Sequence, residues 1–455
     1  MKYGLMILTT VCMLSSCNTT NNTDEVRLIT LDPGHFHAAL VQKSAYPQVS
    51  NTVYVYAHEG DDLREHLKRI EAYNNRQESP THWNEVVYTG DDFLAKMLAD
   101  KRGNVMVTSG NNGKKTDYIY AAVSAGINVL ADKPMAIDTK GFELLKSCFE
   151  IAESNGVLLY DIMTERFEIA TILQRELSQI PDIYGEQTQG TPEEPAVIKE
   201  SVHHFFKTVS GVPLIRPAWF FDTKQQGEGI VDVTTHLVDL VQWECFPNQI
   251  IDYKNDIEIV DAGHSATPVS HQEFRQVTGL DEFPEFLMPS VRNDTLFVNA
   301  NGYIIYRIKG VYAGVSVFWN YTYPEGGGDT HYSVMRGTKS QLIIEQGKAQ
   351  NYIPELSVKV DDSVDAEAFE QSLGKAVALL SEKYSGIGIK RISDRLWRIY
   401  IPDSFRNGHE AHFGQVTENF LNYLKKGRLP EWETPNMIAK YYVTSTALEM
   451  AAAKD

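Results

Sequence analysis

The sequence predicts an α/β chain in two unlike parts: a doubly wound parallel sheet, then an α+β part with a largely antiparallel sheet. Three observations predict it. From Val26 to Tyr160, short β-rich runs alternate with longer helical segments, the pattern of βαβ units with right-handed crossovers. Beyond Tyr160, strand runs follow one another across turns. The chain has 455 residues, against a soft prior of ~150 per domain, so boundaries are expected at 1–25 (leader), 26–162 and 163–455.

The elements of the first part follow in order. Val26–Leu31 is a short strand ended by Asp32-Pro33-Gly34, a turn signal, and His35 to Ala45 is apolar-periodic. Val53–Ala57, Glu85–Tyr88, Asn104–Thr108, Ile127–Ala131 and Val157–Tyr160 are the next strands. Between them lie helices over 61–72, 91–100, 116–125 and 139–155. Ligands on such a sheet bind beyond the carboxyl ends of the strands, which selects the loops at 32–37, 58–62, 108–114 and 131–135. In the second part, strands are expected over 303–308, 314–319, 332–335 and 341–345, a loop at Gly326-Gly-Gly328, and helices over 365–385 and 436–452.

The leader has the form of a sorting signal. Lys2 precedes an apolar run, Gly4 to Leu14, too short to span a bilayer as a helix but suited to a secretory signal. The run closes on Leu14-Ser15-Ser16-Cys17, which resembles the lipobox of bacterial lipoproteins. That resemblance implies lipidation at Cys17, cleavage before it, and residence in the cell envelope on the periplasmic or outer-surface side. Residues 18–25 form a polar tether. Of the four cysteines, only Cys148 and Cys245 remain to the body of the chain, too few for a disulfide framework or metal site.

Composition excludes several functions. Hydrophobic residues at 43% and charged residues at 22% exclude wholesale disorder. With 42 Lys+Arg against 60 Asp+Glu, the net charge is −18, a field that repels nucleic acid. The longest basic runs, Lys114-Lys115 and Lys425-Lys426-Gly427-Arg428, make no patch against it.

The first loop is where a dinucleotide fingerprint would sit, its glycines letting the backbone approach a pyrophosphate. Only Gly34 is present, within Asp32-Pro33-Gly34-His35-Phe36-His37. Glu59 follows the second strand at the place of an acid that binds a ribose hydroxyl, and the loop carries no Arg for a 2′-phosphate. NAD is therefore expected over NADP.

Ile127-Asn-Val-Leu-Ala-Asp132-Lys133-Pro134 resembles the Glu-Lys-Pro strand of the Gfo/Idh/MocA oxidoreductases. Gly227-Glu-Gly-Ile-Val-Asp232-Val-Thr-Thr-His236-Leu-Val-Asp239-Leu-Val-Gln-Trp243 resembles that family's Asp/His helix, and Met335 to Leu342 its Gly-Thr strand. The resemblance covers residues 26 to about 350. It implies a Rossmann-type dinucleotide-binding domain and an NAD cofactor held by Gly34, His35, His37, Glu59, Ser109, Asn111, Asp132 and Lys133. It also implies a carbohydrate or polyol substrate contacted by Lys133, Arg166, Asp232, His236 and His331. The chain departs from the family in its degenerate phosphate loop, in Asp132 for Glu, in Thr234 for Gly, and in Asn111-Asn112 and Asp117.

Oxidising a secondary alcohol needs a base near the working pH, which suits histidine. Asp232 and His236 are four apart, so a helix would place them on one face. Asp232 could orient the imidazole or bind a substrate hydroxyl, while Lys133 could stabilise the developing oxyanion. Asp and His at that spacing can also ligate zinc, but no further His or Cys lies at ligand spacing beside them, so no metal is expected. Three functions follow as expectations: an NAD-dependent oxidoreductase of a sugar or polyol hydroxyl, a redox-neutral NAD-dependent glycosidase, or a glycan-binding lipoprotein. A homo-oligomer is compatible with each.

Overall fold

The computed structural model describes residues 25–454 apart from 210, 211 and 325; the leader and Cys17 lie outside the described residues. Six parallel strands form the first sheet: β1 (Leu28–Leu31), β2 (Thr52–Ala57), β3 (Asn84–Thr89), β4 (Val105–Thr108), β5 (Asn128–Asp132) and β6 (Leu159–Ile162). Their order is β3-β2-β1-β4-β5-β6, the doubly wound arrangement whose switch point lies between β1 and β4. The central strands β1 and β4 are buried at every position, as apolar runs covered on both faces must be. The first crossover is shorter than its periodicity suggested. Its helix spans only His37–Leu40, and a chain turn at 41–44 replaces the rest.

The second sheet has ten strands. Strand β7 (Val197–His204) sits near its centre. It pairs in parallel with Val311–Asn320 and antiparallel with Thr330–Arg336; every other pair in the sheet is antiparallel. Helices Ile169–Ser178, Thr234–Cys245, Ala366–Leu380 and Glu433–Ala452 contribute apolar side chains to the same core, among them Leu173, Val238, Leu373 and Val443.

The expected boundary at 163 needs one correction. The last segment does not stay with the second sheet. Helix His409–Lys426 contributes Phe413, Val416, Phe420 and Leu421 to the core of the first sheet, and Phe420 stacks on Tyr160 with ring centroids 6.0 Å apart. Met437 and Tyr441 of the final helix join that core too. The tail thus clamps the two sheets together, and its apolar rows alone did not say against which sheet they would pack.

Candidate active site

Strand β5 ends at Asp132, and the next residue, Lys133, precedes a cis bond to Pro134. Ninety-nine residues further on, Asp232 lies in the turn before helix Thr234–Cys245. Lys133 Nζ donates to Asp232 Oδ1 at 2.5 Å, and Gln226 Nε2 donates to Asp232 Oδ2 at 3.0 Å. Both members of the pair line a cavity of about 470 Å³ between the two sheets, together with His236 and His331. Three of the residues expected to act together are therefore brought together.

Two expectations about them need correcting. Asp232 and His236 do not share a helical face, because the helix starts at Thr234. Nor does Asp232 orient the imidazole: its two oxygens hold Lys133 and Gln226, while His236 Nδ1 is buried without a hydrogen-bond partner. Burial, reinforced by the Lys133 and His409 charges, holds the His236 imidazole well below its ordinary range, so it is a neutral base at neutral pH.

Arg166 is also corrected. It does not line the cavity. Its guanidinium holds Asp239 in a fork at 2.6 and 2.7 Å and Glu433 at 2.8 Å, and Lys440 completes the cluster with Asp239 and Asp161 at 2.9 and 2.7 Å. Burial alone would raise Asp239, but Arg166 and Lys440 hold it well below the carboxylate range. This is a structural ion network beneath the site.

The far wall of the cavity was missed. Ser201 and His203 alternate along β7, with Ser201 Oγ 2.6 Å from His203 Nε2. Asp329, just beyond the glycine loop, meets His203 Nδ1 at 3.3 Å, His204 Nδ1 at 3.0 Å and Lys207 Nζ at 2.9 Å. Trp319, Phe220 and Phe36 supply apolar ring faces, and Glu165 and Glu168 close another side. Burial raises both of those carboxyls, Glu168 to about 7. The histidine pair 203–204, with His331 on the neighbouring strand, was the trace of this wall in the sequence. A pocket with ring faces amid convergent donors and acceptors suits a small polyhydroxylated ligand.

The cofactor loops divide. Asp132, expected beside the cofactor, accepts from His37 at 2.9 Å and from Ser109 at 2.7 Å through the same oxygen; against the upward push of burial, His37 and Lys115 hold it well below the carboxylate range. Glu59, expected at a ribose, is exposed. Asn111 caps the next helix through Gly113 N and donates to Gln225. The phosphate turn is closed. Asp32 takes the left-handed conformation (φ 46°) where the fingerprint has its first glycine, and the N–H groups of Gly34 and His35 both donate to Ser109 O at 3.1 Å. A Cβ on Gly34 would lie 3.0 Å from the Trp219 ring and 3.1 Å from Asp62, and Trp219 Nε1 donates to Asp62 at 2.9 Å. A pyrophosphate needs those N–H groups and that face. As folded, Trp219 and Asp62 narrow that face, and a pyrophosphate requires them to open.

A test of that packing follows. Trp219→Ala uncovers Gly34, and NAD affinity is expected to rise about tenfold, equivalent to about 1.4 kcal/mol, in a calorimetric titration. Unchanged affinity would mean that the indole does not obstruct the turn.

Residues 173–452 match the family described as "Putative oxidoreductase C terminal domain". No curated protein matches the chain in sequence. A "putative oxidoreductase" from Parabacteroides merdae, known as a crystal structure, is 62% identical, covers 95% of this chain and 98% of its own, and superposes with a TM-score of 0.94. Levoglucosan dehydrogenase in complex with NADH and levoglucosan shares the fold at 12% identity and TM-score 0.60, covering 95% and 98% of the two chains. KijD10, a 3-ketoreductase from Actinomadura kijaniata in complex with NADP, does so at 13% identity and TM-score 0.55, covering 91% and 95%. With its C-terminal sheet matched as a family and its sheet order that of a dinucleotide fold, the chain belongs to the Gfo/Idh/MocA-type oxidoreductases that carry this C-terminal domain.

Proposed function

We propose that the chain is a carbohydrate oxidoreductase acting on a secondary hydroxyl of a sugar or polyol, with NAD as its redox partner. One observation carries the reading: Lys133 from the edge of the parallel sheet and Asp232 and His236 from the second part open into one cavity with aromatic faces. The Lys133 ammonium, held by Asp232, donates to the hydroxyl oxygen and stabilises it as its proton leaves. Neutral His236 takes that proton. A bound nicotinamide would supply the hydride acceptor in such chemistry; here its entry requires the Trp219–Asp62 contact over Gly34 to open. Sugar dehydrogenase and ketoreductase relatives of the same fold, bound to NADH and NADP, support the choice of substrate and cofactor class. A second reading, glycan binding without turnover, is favoured by the closed phosphate turn; NADH accumulation with a sugar panel excludes it, and sugar binding without NADH supports it.

The acid limb of the pH profile tests the base. Because burial and Lys133 lower the His236 imidazole, the group stays unprotonated below the ordinary histidine range of ~6.5. Log kcat/KM is therefore expected to stay flat as pH falls through that value and to drop only further down. A midpoint at or above it would remove His236 as the base.

The leader enters this proposal as well: the enzyme is tethered in the cell envelope through Cys17. Cys17→Ser expressed in a bacterial host is expected to leave the membrane fraction, and a variant that fractionates like the parent would contradict the tether.

A further inference from the structure

We propose that His35, His37 and Asp132 form a binding site for one divalent transition-metal ion of the zinc class, beside the cavity where the phosphate turn would otherwise hold a dinucleotide. The inference goes beyond the proposed function and does not depend on it. One ligand atom from each residue lies within 4.8 Å of the others. Both imidazoles face a single carboxylate oxygen: Asp132 Oδ2 is 2.9 Å from His37 Nδ1 and 3.8 Å from His35 Nδ1, which accepts a long hydrogen bond from His37 N at 3.3 Å that an ion would displace. Ligands ~2.0–2.1 Å from a tetrahedral ion lie about 3.3 Å apart. The two separations to Asp132 Oδ2, 2.9 and 3.8 Å, bracket that spacing within about half an ångström, and the two imidazole nitrogens lie within 4.8 Å of each other.

The local backbone explains the convergence. Gly34 N and His35 N pin the turn to Ser109 O, and the two rings pack edge to face with centroids 4.0 Å apart. The turn is too tight to separate them. Outer groups hold the carboxylate: Ser109 Oγ donates to Oδ2 at 2.7 Å, and Lys115 Nζ donates to the Asp132 carbonyl at 2.8 Å, the kind of support that aligns metal ligands. Lys115 would oppose a cation, but Asn112 Oδ1 and two backbone carbonyls hold its ammonium. A buried carboxylate needs only one imidazole to satisfy an oxygen. A second imidazole held 3.8 Å from the same oxygen, in a His₂-carboxylate set with both rings lining the cavity, matches sites that leave coordination positions open to a substrate oxygen.

The test uses the full chain, stripped with a chelator, dialysed, and titrated with Zn²⁺ by calorimetry and with Co²⁺ by visible absorption. One ion per chain with micromolar or tighter affinity is expected, with Co²⁺ bands of a nitrogen–oxygen site. His37→Ala and the nearly isosteric Asp132→Asn should each weaken binding at least 100-fold, while the surface change His271→Ala leaves it unaltered. No stoichiometric binding, or binding that survives both His37→Ala and Asp132→Asn in folded protein, overturns the proposal. Either result leaves the sugar-oxidation assay free to succeed or fail by itself.

Discussion

His236→Ala is expected to lower kcat on a sugar substrate by ~10²–10⁴-fold, the usual contribution of a positioned general base, with KM changed only a few-fold. The imidazole lines the cavity and is neutral, so its loss removes the proton acceptor without removing a charge that binds substrate. The ring sits in the first turn of helix Thr234–Cys245, whose packing is carried by Leu237, Val238 and Val241; folding should therefore survive, and circular dichroism of the variant checks it. Steady-state kinetics reads the result. A folded variant with undiminished kcat would move the base elsewhere, Glu165 being the next carboxyl at the cavity with a raised pKa.

Arg166→Ala is expected to destabilise the chain by ~3–5 kcal/mol, the cost of leaving buried charge without its partner. Asp239 would keep Lys440, whereas Glu433, almost wholly buried, pairs among the described residues with no cation but Arg166. The helix that carries Glu433 clamps the two sheets, so the loss should appear as a lower denaturation midpoint. Because Arg166 does not reach the cavity, kcat per folded molecule should hardly change. A variant of normal stability with impaired sugar binding would restore the substrate role expected from the resemblance.

What the sequence made legible follows from the physics of each part. Parallel strands announce themselves because burial on both faces forces continuous apolar runs, and all six strands of the first sheet were found to within a few residues. Strand β7 was missed because Val197–His204 mixes lysine, glutamate and two histidines among its apolar positions; its polar side chains form the cavity wall and a buried pair, Lys199 with Glu244, which alternation of apolar and polar residues cannot foretell. Lys133, Asp232 and His236 could be singled out because their motifs are local, and the structure brings them to one cavity. Arg166 was misplaced because a buried guanidinium and a substrate-binding one look alike in sequence. The partners that decide between them, Asp239 and Glu433, lie 73 and 267 residues away. Gly34 suggested a phosphate turn, and only the fold shows Trp219 lying across it.

The most direct test of the account is NADH formation, followed by its near-ultraviolet absorbance, when the purified chain meets NAD and a panel of pyranoses, pyranosides and alditols, beside His236→Ala as control. The account predicts NADH with at least one sugar, at a rate that rises in Trp219→Ala at limiting NAD and collapses in His236→Ala. A chain that binds both NAD and a sugar by calorimetry, yet forms neither NADH nor any altered sugar, would contradict it.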